Sequence, residues 1–347
     1  MRNQLDRKIE RCVQETSGAV PFSGSIIAAR GSEILFKRSY GFASLEHEVC
    51  NTPSTKFRIW SITKLFTATA ILMLHEAGKL GLDQSAAELL PDDWALDERI
   101  TVRHLLTHAS GLHSYTSSQD FDSKWTKLRL GTEGIKGLIQ QYPPLFEPGA
   151  DRSYNNSAFY LLGLIIAQLS GEGYEQFLKR NIFEPLGMLS TGLEKNSAVI
   201  GGMASGYAVE GDALHKSEYL DIENAFAAGG LYSTVEDLFK LDQALYTERL
   251  LPSAAIERML APDGFGYGLG WKSDYRQGRP VVGHSGSYRG YRGEFDRYPD
   301  ERVCVIMLSN VDKPIEDLCR AIAEVVLDGE RNAITGRLFE NESLHNA

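Results

Sequence analysis

Two side chains near residue 60 have the types and the spacing needed for nucleophilic catalysis. Ser61 and Lys64 stand three residues apart, at the start of a stretch from Ile62 to Leu74 in which almost every residue is apolar or small. Such a stretch predicts a buried helix, and the spacing places both side chains on one helical face. Burial drives a lysine towards its neutral, basic form, and a helix N-terminus stabilises a developing oxyanion. The pair therefore predicts a serine nucleophile whose proton passes to a lysine.

A plainer interpretation of the same pair is a helix-capping serine followed by a surface lysine, and one short motif is only a hypothesis. Two further patterns occur later in the chain, Tyr154-Asn155-Asn156 and His284-Ser285-Gly286. Taken singly, Tyr154 is typical of a core tyrosine, Asn156 of a helix cap and His284 of a structural histidine. Their order after the serine–lysine motif favours one common catalytic site.

The three patterns resemble those of one superfamily of serine enzymes. Class A β-lactamases and penicillin-binding proteins carry S-x-x-K, S-D-N and K-T-G. This chain is similar to the branch with Tyr-x-Asn and His-x-Gly instead, which holds class C β-lactamases, D-alanyl-D-alanine carboxypeptidases and related esterases. Further similar stretches are Leu105–Leu112, Gly229–Thr234 and Gly266–Trp271. The resemblance extends from about Gly24 to Leu327, which is nearly the whole chain.

The resemblance implies a role for each motif residue. Ser61 is the nucleophile that forms an acyl-enzyme, and Lys64 and Tyr154 share the role of base. A phenol beside a cationic lysine is pushed towards phenolate, so either group could accept the serine proton. Asn156 is expected to orient Lys64 and to bind the amide or ester dipole of the substrate.

The second half of the implied site lies on a strand. The backbone N–H groups of Ser61 and Ser287 are expected to form the oxyanion hole. Gly286 has no side chain, and we expect this to leave room for substrate to lie against the strand. Class C β-lactamases have lysine at the position of His284, where its charge helps to hold a substrate carboxylate. A histidine is mostly neutral at pH 7, which weakens the β-lactamase interpretation without arguing against hydrolysis.

The elements that must position these residues follow from hydrophobic periodicity. An N-terminal helix is indicated by Leu5, Ile9, Cys12 and Val13 on one face, and a β-hairpin by Ile26–Arg30 and Ile34–Tyr40. The sequence also predicts helices at Thr101–His108, Gly134–Tyr142, Ala158–Leu169, Tyr174–Ile182 and Pro314–Leu327, strands at Gly268–Lys272, Val281–His284, Gly290–Tyr298 and Val303–Ser309, and a helix capped by Ser233 or Thr234.

Strands at both ends of the chain and helices in the middle predict an α+β fold. We expect an antiparallel β-sheet built from both chain ends and flanked by helices, with a mainly helical insertion, as in the β-lactamase/transpeptidase-like fold. The predicted domains are residues 1–82 with 220–347, and residues 83–219, with the active site between them. The tail from Thr335 to Ala347 is polar and is expected to fray.

Composition excludes several other classes of protein. The net charge is −10 without a basic run, which argues against nucleic acid or an anionic membrane surface as partner. No apolar stretch is long enough to span a bilayer. His104 and His108 have the spacing of a zinc helix but lack the glutamate that such a motif requires, so we expect no metal and no cofactor.

The start of the chain lacks the apolar core of a secretory signal, which predicts a cytoplasmic protein or an exported one whose signal has been removed.

Three functions remain open at this stage. The first is a serine hydrolase of D-amino-acid peptides, amides or β-lactam-like compounds, and the second is a carboxylesterase for small acyl esters. The third is a non-catalytic binding or scaffold protein with the same fold. The partner expected is a small molecule or a short peptide. Selectivity is expected in the loops Ser114–Arg129 and Glu194–Tyr219, where Tyr115, Phe121 and Trp125 would either line an acyl pocket or pack in the core.

Overall fold

A computed structural model describes residues 2–16, 20–263 and 266–328 of the chain. In chain order its strands are β1 (Gly24–Arg30), β2 (Glu33–Tyr40), β3 (Phe42–Ser44), β4 (Val49–Cys50), β5 (Phe57–Arg58), β6 (Gly192–Leu193), β7 (Tyr207–Glu210), β8 (Ala213–Lys216), β9 (Leu231–Ser233), β10 (Lys272–Arg276), β11 (Arg279–Tyr288), β12 (Tyr291–Tyr298) and β13 (Val303–Ser309).

The α-helices are α1 (Arg2–Thr16), α2 (Thr63–Glu76), α3 (Val102–Leu106), α4 (Gly131–Gln140), α5 (Asn156–Ser170), α6 (Tyr174–Leu178), α7 (Glu184–Leu186), α8 (Phe226–Gly229), α9 (Val235–Ala244) and α10 (Ser253–Leu260). The chain is also helical over 316–328. A π-helical turn, Lys179–Phe183, joins α6 to α7, and a 3₁₀ turn, Trp60–Ile62, leads into α2.

The main sheet contains strands from both ends of the chain. Its strand order is β10-β11-β12-β13-β1-β2, and all of its neighbours pair antiparallel. The hairpin β1–β2 therefore joins the C-terminal strands through β13, with Gly24 opposite Ser309 and Arg30 opposite Val303. This confirms the predicted α+β class and the sheet built from both termini.

Both faces of this sheet are covered. In β1, Ile26 and Ala28 pack against the two terminal helices, whereas Ile27 and Ala29 face the larger core that contains α2 and α5. Successive side chains of a strand point to opposite faces, so each face of β1 is buried against its own layer. The result is a sheet between two helical layers, and the predicted active-site motifs lie on the α2 side.

Helix α2 is buried on nearly every side, as its apolar composition requires. Only Met73, His75 and Glu76 lie outside its buried set, and Gly78 stands just beyond its end with φ of +68°. Helix α5 packs against α2 and α8 and is likewise mostly buried. The sheet and these two helices thus fix the backbone around Ser61.

Most predicted elements are present, and one is wrong. Val303–Ser309 has the predicted bounds, and Thr234 caps α9 by accepting a hydrogen bond from the Asp237 backbone N–H. The strand predicted over Gly268–Lys272 instead begins at Lys272, because Gly270 has φ of +77° and a Cβ there would lie 2.5 Å from the Ala68 Cβ. This glycine lets an irregular segment pack directly on α2.

The segment 83–219 contains α3 to α7 together with the short strands β6 to β8. Its division from the rest of the chain as a separate domain stays a prediction. The predicted fraying of the tail concerns residues outside the described ranges.

Candidate active site

The turn that carries Ser61 packs against strand β11 of the main sheet. Trp60 has φ of +45°, an uncommon conformation for a bulky residue, and its ring meets Tyr288 edge-on at 5.3 Å between centroids. Ser61 follows in the 3₁₀ turn, and α2 begins at Thr63 with no side-chain cap. The interpretation of Ser61 as a helix cap is therefore wrong.

Lys64 is fully buried, which excludes the surface-lysine interpretation. Its Nζ lies 3.1 Å from Ser61 Oγ, 2.8 Å from Asn156 Oδ1 and 2.7 Å from the Ala228 carbonyl oxygen. Desolvation lowers the pKa of Lys64 well below its ordinary value, since burial disfavours the ammonium form. The neutral amine can donate to the two carbonyl oxygens and accept a hydrogen bond from the serine hydroxyl.

Tyr154 approaches Ser61 from the other side. Its hydroxyl donates to Ser61 Oγ at 2.7 Å, and 39% of the residue is exposed, so it is not a core tyrosine. Desolvation raises the pKa of its hydroxyl, and only its hydrogen bond to Ser61 opposes this. Burial therefore does not favour a phenolate at rest, because the neighbouring lysine is itself driven towards its neutral form.

Asn156 is the first residue of α5, and its side chain faces the lysine. Its Oδ1 accepts from Lys64, its Nδ2 donates to Thr116 Oγ1 at 2.9 Å, and its backbone N–H donates to Ser114 Oγ at 3.1 Å. The helix cap is the preceding residue, Asn155, which accepts from the Ala158 N–H. The carbonyl end of the Asn156 amide is thereby turned towards Lys64, as predicted.

His284 is buried and neutral. Its Nδ1 lies 2.6 Å from the Ser285 carbonyl oxygen; because a carbonyl oxygen only accepts, Nδ1 carries the proton and Nε2 bears the lone pair. Nε2 has no hydrogen-bond partner among the described residues. Desolvation lowers the pKa of His284 to about 3. The position that holds a cation in class C β-lactamases is here an uncharged hydrogen-bond acceptor.

Strand β11 presents an unpaired edge next to the serine. Strand β10 pairs with it only as far as Lys272 opposite Gly283, so residues 284–288 have β12 as their strand neighbour on one side alone. A Cβ on Gly286 would lie 2.1 Å from the Ile59 carbonyl oxygen and 3.2 Å from the Ser61 nitrogen. The predicted reason for this glycine was room for substrate; the close neighbour in the structure is the backbone of the serine turn.

A cavity of about 240 Å³ opens beside Ser61 and Asn156. Ser287 lines it together with Ser61, as the predicted oxyanion hole requires. Tyr115 and Phe121 also line it, whereas Trp125 does not. The remaining lining residues are Trp60, Thr116, Asp122, Thr126, Leu220, Asp221, Asn224, Ala225, Ala228, Gly229 and Tyr288. The loop Ser114–Arg129 therefore contributes to the cavity, and the loop Glu194–Tyr219 does not.

Sequence reasoning missed the acidic groups of this cavity. Asp122 lies at its mouth, where its carboxylate accepts a hydrogen bond from the Tyr288 hydroxyl. Asp221 is 5% exposed and accepts from the Glu223 N–H at 3.1 Å. The two stand about a hundred residues apart in the chain, and no local motif links them. The residues that line the cavity include no lysine, arginine or histidine, so its charged groups are carboxylates.

Within residues 2–16, 20–263 and 266–328, no group of three or more His, Cys, Asp and Glu side chains could hold a metal ion. Over the same residues, no helix is long and apolar enough to cross a membrane.

Comparison with known proteins identifies the family of this chain. The family model described as Beta-lactamase matches residues 5–330. Penicillin-binding protein 4* of Bacillus subtilis is 31% identical, over 94% of this chain and 77% of its own length. The D-aminopeptidase of Gluconobacter oxydans is 27% identical, over 89% of this chain and 60% of its own length. The chain thus spans between 60% and 77% of these two relatives.

Solved structures have the same fold. The penicillin-binding protein from Bacillus halodurans superposes with a TM-score of 0.80 at 28% identity, covering 91% of this chain and 98% of that one. The D-amino acid amidase from Ochrobactrum anthropi gives a TM-score of 0.81 at 23% identity, with 94% and 99% covered. With its family match across almost the whole sequence, the chain belongs to the β-lactamase family, and it is an enzyme of that family's serine-hydrolase type.

Proposed function

We propose that the enzyme hydrolyses amides or short peptides of D-amino acids through an acyl-enzyme on Ser61. Ser61 Oγ attacks the substrate carbonyl carbon while its proton passes to Lys64 Nζ. The carbon–nitrogen bond then breaks, and the leaving amine takes up a proton. Water attacks the resulting ester by the same route and releases the acid. The proton that Lys64 takes up goes to the leaving amine in acylation and to Ser61 Oγ in deacylation, so the complete cycle leaves both residues in their starting protonation states.

The observation that carries this mechanism is the hydrogen-bond pattern around Ser61 Oγ. A neutral Lys64 that donates to Asn156 and Ala228 has its lone pair left for the serine proton. The Tyr154 hydroxyl donates its own proton to the same oxygen. The pattern favours Lys64 as the base and Tyr154 as a neutral donor that can pass a proton towards the leaving group.

The open edge of β11 supports the predicted oxyanion hole. The backbone N–H groups of Ser61 and Ser287 belong to two segments that meet at Gly286, and both residues line the cavity. A carbonyl oxygen bound between them would gain stabilisation as it becomes an oxyanion. Asn156, which shares the cavity, would contact the rest of the acyl group.

The charges of the cavity favour a substrate with an amino group in its acyl part. Asp122 and Asp221 provide negative charge in the cavity, and an ammonium enters such a site at less desolvation cost than a carboxylate. His284 offers an acceptor and no cation, so it does not favour a substrate carboxylate. This combination supports an aminopeptidase or amidase, and it speaks against efficient capture of penicillins.

A small substrate panel tests the proposal. The panel contains D-phenylalanine amide, its L-enantiomer, N-acetyl-D-phenylalanine amide, p-nitrophenyl butyrate and a fluorescent penicillin. We expect kcat/KM to be highest for the D-amide with a free amino group, and Ser61→Ala to abolish its turnover. Fast ester turnover without any amide turnover would identify a carboxylesterase instead. A stable penicillin adduct on Ser61 would identify a penicillin-binding peptidase.

The substitution Asp221→Asn tests whether the negative charge of Asp221 selects substrates with a free amino group. Asparagine retains an acceptor oxygen for the Glu223 N–H, so the local turn is preserved. We expect kcat/KM to fall about tenfold for the D-amide with a free amino group, equal to about 1.4 kcal/mol, and to stay unchanged for its N-acetyl form. An equal fall for both amides would mean that Asp221 shapes the cavity without selecting charge.

A further inference from the structure

One buried histidine near the site has no part in the mechanism above. His108 follows α3, within a segment that the sequence resemblance includes, and it is fully buried. Its backbone has φ of +61°, a left-handed conformation that residues other than glycine and asparagine adopt infrequently. Such a conformation persists only where the surroundings fix it.

His108 binds the chain on both sides of Tyr154. Its carbonyl oxygen accepts from the Ser153 N–H at 3.0 Å, and its Nδ1 accepts from the Asn155 N–H at 3.1 Å. Its ring also lies against the Tyr154 ring, with centroids 4.6 Å apart and an interplanar angle of 39°. His108 thus contacts the backbone immediately before and after Tyr154 and also one face of its phenol ring.

The histidine is itself fixed in one tautomer. A backbone N–H can only donate, so Nδ1 bears the lone pair and the proton is on Nε2. Desolvation lowers the pKa of His108 well below its ordinary value, which keeps the ring neutral and Nδ1 free to accept. The rings of Phe159 and Tyr267 lie 5.2 and 5.0 Å away and enclose it.

We propose that His108 is the positioning residue for Tyr154: its Nδ1, carbonyl oxygen and ring hold the tyrosine hydroxyl at hydrogen-bond distance from Ser61 Oγ. This inference rests on the proposed role of Tyr154 as proton donor. The left-handed backbone at residue 108 directs the carbonyl oxygen and the ring towards the same short segment. A displacement of the phenol by about 1 Å would cost about 10²-fold in rate.

The test compares two substitutions of His108 in the full chain. His108→Asn retains an acceptor at the place of Nδ1 and tolerates the left-handed backbone, whereas His108→Leu removes the acceptor and leaves the Asn155 N–H unpaired. We expect kcat to fall about 10²-fold in His108→Leu with KM little changed, and to recover at least tenfold in His108→Asn. Thermal unfolding of each variant shows whether the protein is folded at the assay temperature.

Combination with Tyr154→Phe separates positioning from a general structural role. If His108 acts through the tyrosine hydroxyl, His108→Leu causes almost no additional loss of kcat once that hydroxyl is absent. A full additional loss in the double variant overturns the proposal, and so does a wild-type kcat in folded His108→Leu. If Tyr154→Phe alone leaves kcat unchanged, the proposed role of Tyr154 is what fails.

If His108→Leu does not fold, His108→Gln takes its place in the comparison with His108→Asn. His108→Gln has the same polarity as His108→Asn but places its carbonyl oxygen one bond further from the backbone. We then expect the asparagine variant to have the higher kcat by at least tenfold. Equal activities of the two amide variants would contradict a role for the acceptor at Nδ1.

Discussion

Gly286 and Ile59 meet backbone to backbone, with 2.1 Å between the place of a Cβ on Gly286 and the Ile59 carbonyl oxygen. The strand that lines the site and the turn that carries the nucleophile therefore touch without any side chain between them. The position of Ser61 relative to β11 is fixed by this contact, and a side chain at residue 286 would have to separate the two.

Gly286→Ala should lower both stability and activity. The methyl group cannot be accommodated unless the turn moves, and overpacking of this kind costs about 1–3 kcal/mol. The resulting displacement of Ser61 should lower kcat about 10²-fold. Urea unfolding and steady-state kinetics measure the two effects. Gly137→Ala is the matched control, because a Cβ at this exposed helical position meets nothing within 4 Å, and it should be neutral or slightly stabilising.

Lys64→Met should remove the base while retaining a buried side chain of similar length. We expect kcat to fall by about 10²–10⁴-fold, with a loss of stability of about 1–3 kcal/mol because the Asn156 and Ala228 carbonyl oxygens lose their donor. Lys64 must be neutral to accept a proton, so wild-type kcat/KM should fall as the pH is lowered through its depressed pKa. A pH–rate profile checks this, and the acidic limb assigned to Lys64 should be missing in the variant. Near-normal turnover of Lys64→Met would contradict the mechanism.

Glu294→Gln should stabilise the protein at alkaline pH. This carboxyl lies in β12 on the face covered by the terminal helices, and desolvation together with Asp296 raises its pKa to about 8. The folded state therefore retains a proton that the unfolded state loses, and stability falls as the pH rises from about 4.5 to 8. The slope reaches at most about 1.4 kcal/mol per pH unit.

The glutamine amide does not ionise in this pH range. The variant should therefore become more stable than wild type as the pH rises from about 4.5 to 8, and the difference in stability should vanish near pH 4. Urea unfolding at several pH values measures the difference. Glu257→Gln, at an exposed position of α10, serves as control and should show no such trend. An advantage that does not change with pH would argue against ionisation of Glu294 as its cause.

His284→Lys should shift preference towards substrates with a carboxylate. An ammonium at this position provides the cation that His284 does not, and a tenfold gain corresponds to about 1.4 kcal/mol of added attraction. The second-order rate of acylation by a fluorescent penicillin should rise about tenfold, while turnover of the D-amide falls. His284→Gln is the uncharged control and should not speed acylation; equal rates in the two variants would exclude a charge effect.

The sequence was most informative where a local pattern has one structural solution. Burial of Lys64 followed from the apolar stretch after it, and the sheet from both chain ends followed from β-type runs at both ends. The irregular segment around Gly270 was mistaken for a strand, because glycines between aromatic and aliphatic residues fit either structure until their φ angles are known.

The protonation state of Tyr154 could not be read from the motif. Proximity to a lysine suggested phenolate, but the outcome depends on how deeply both groups are desolvated, and this is a property of the assembled fold. Asp122 and Asp221 belong to loops far apart in sequence, so their meeting in one cavity depends on tertiary structure. The sequence placed His108 at the end of a predicted helix, while its two hydrogen bonds around Tyr154 depend on tertiary structure.

Because β10 begins only at Lys272, part of β11 has no strand neighbour on that side, and this affects how the molecule meets other polypeptides. An unpaired strand edge is a template on which foreign strands can assemble, and folded proteins usually block such edges. Here the unpaired stretch is only the segment 284–288, closed at one end by β10 and at the other by the hairpin into β12. It is long enough to align a few atoms of a short ligand and too short to nucleate a second sheet. The enzyme can thus keep this edge open at its catalytic centre without offering a template there for a second sheet.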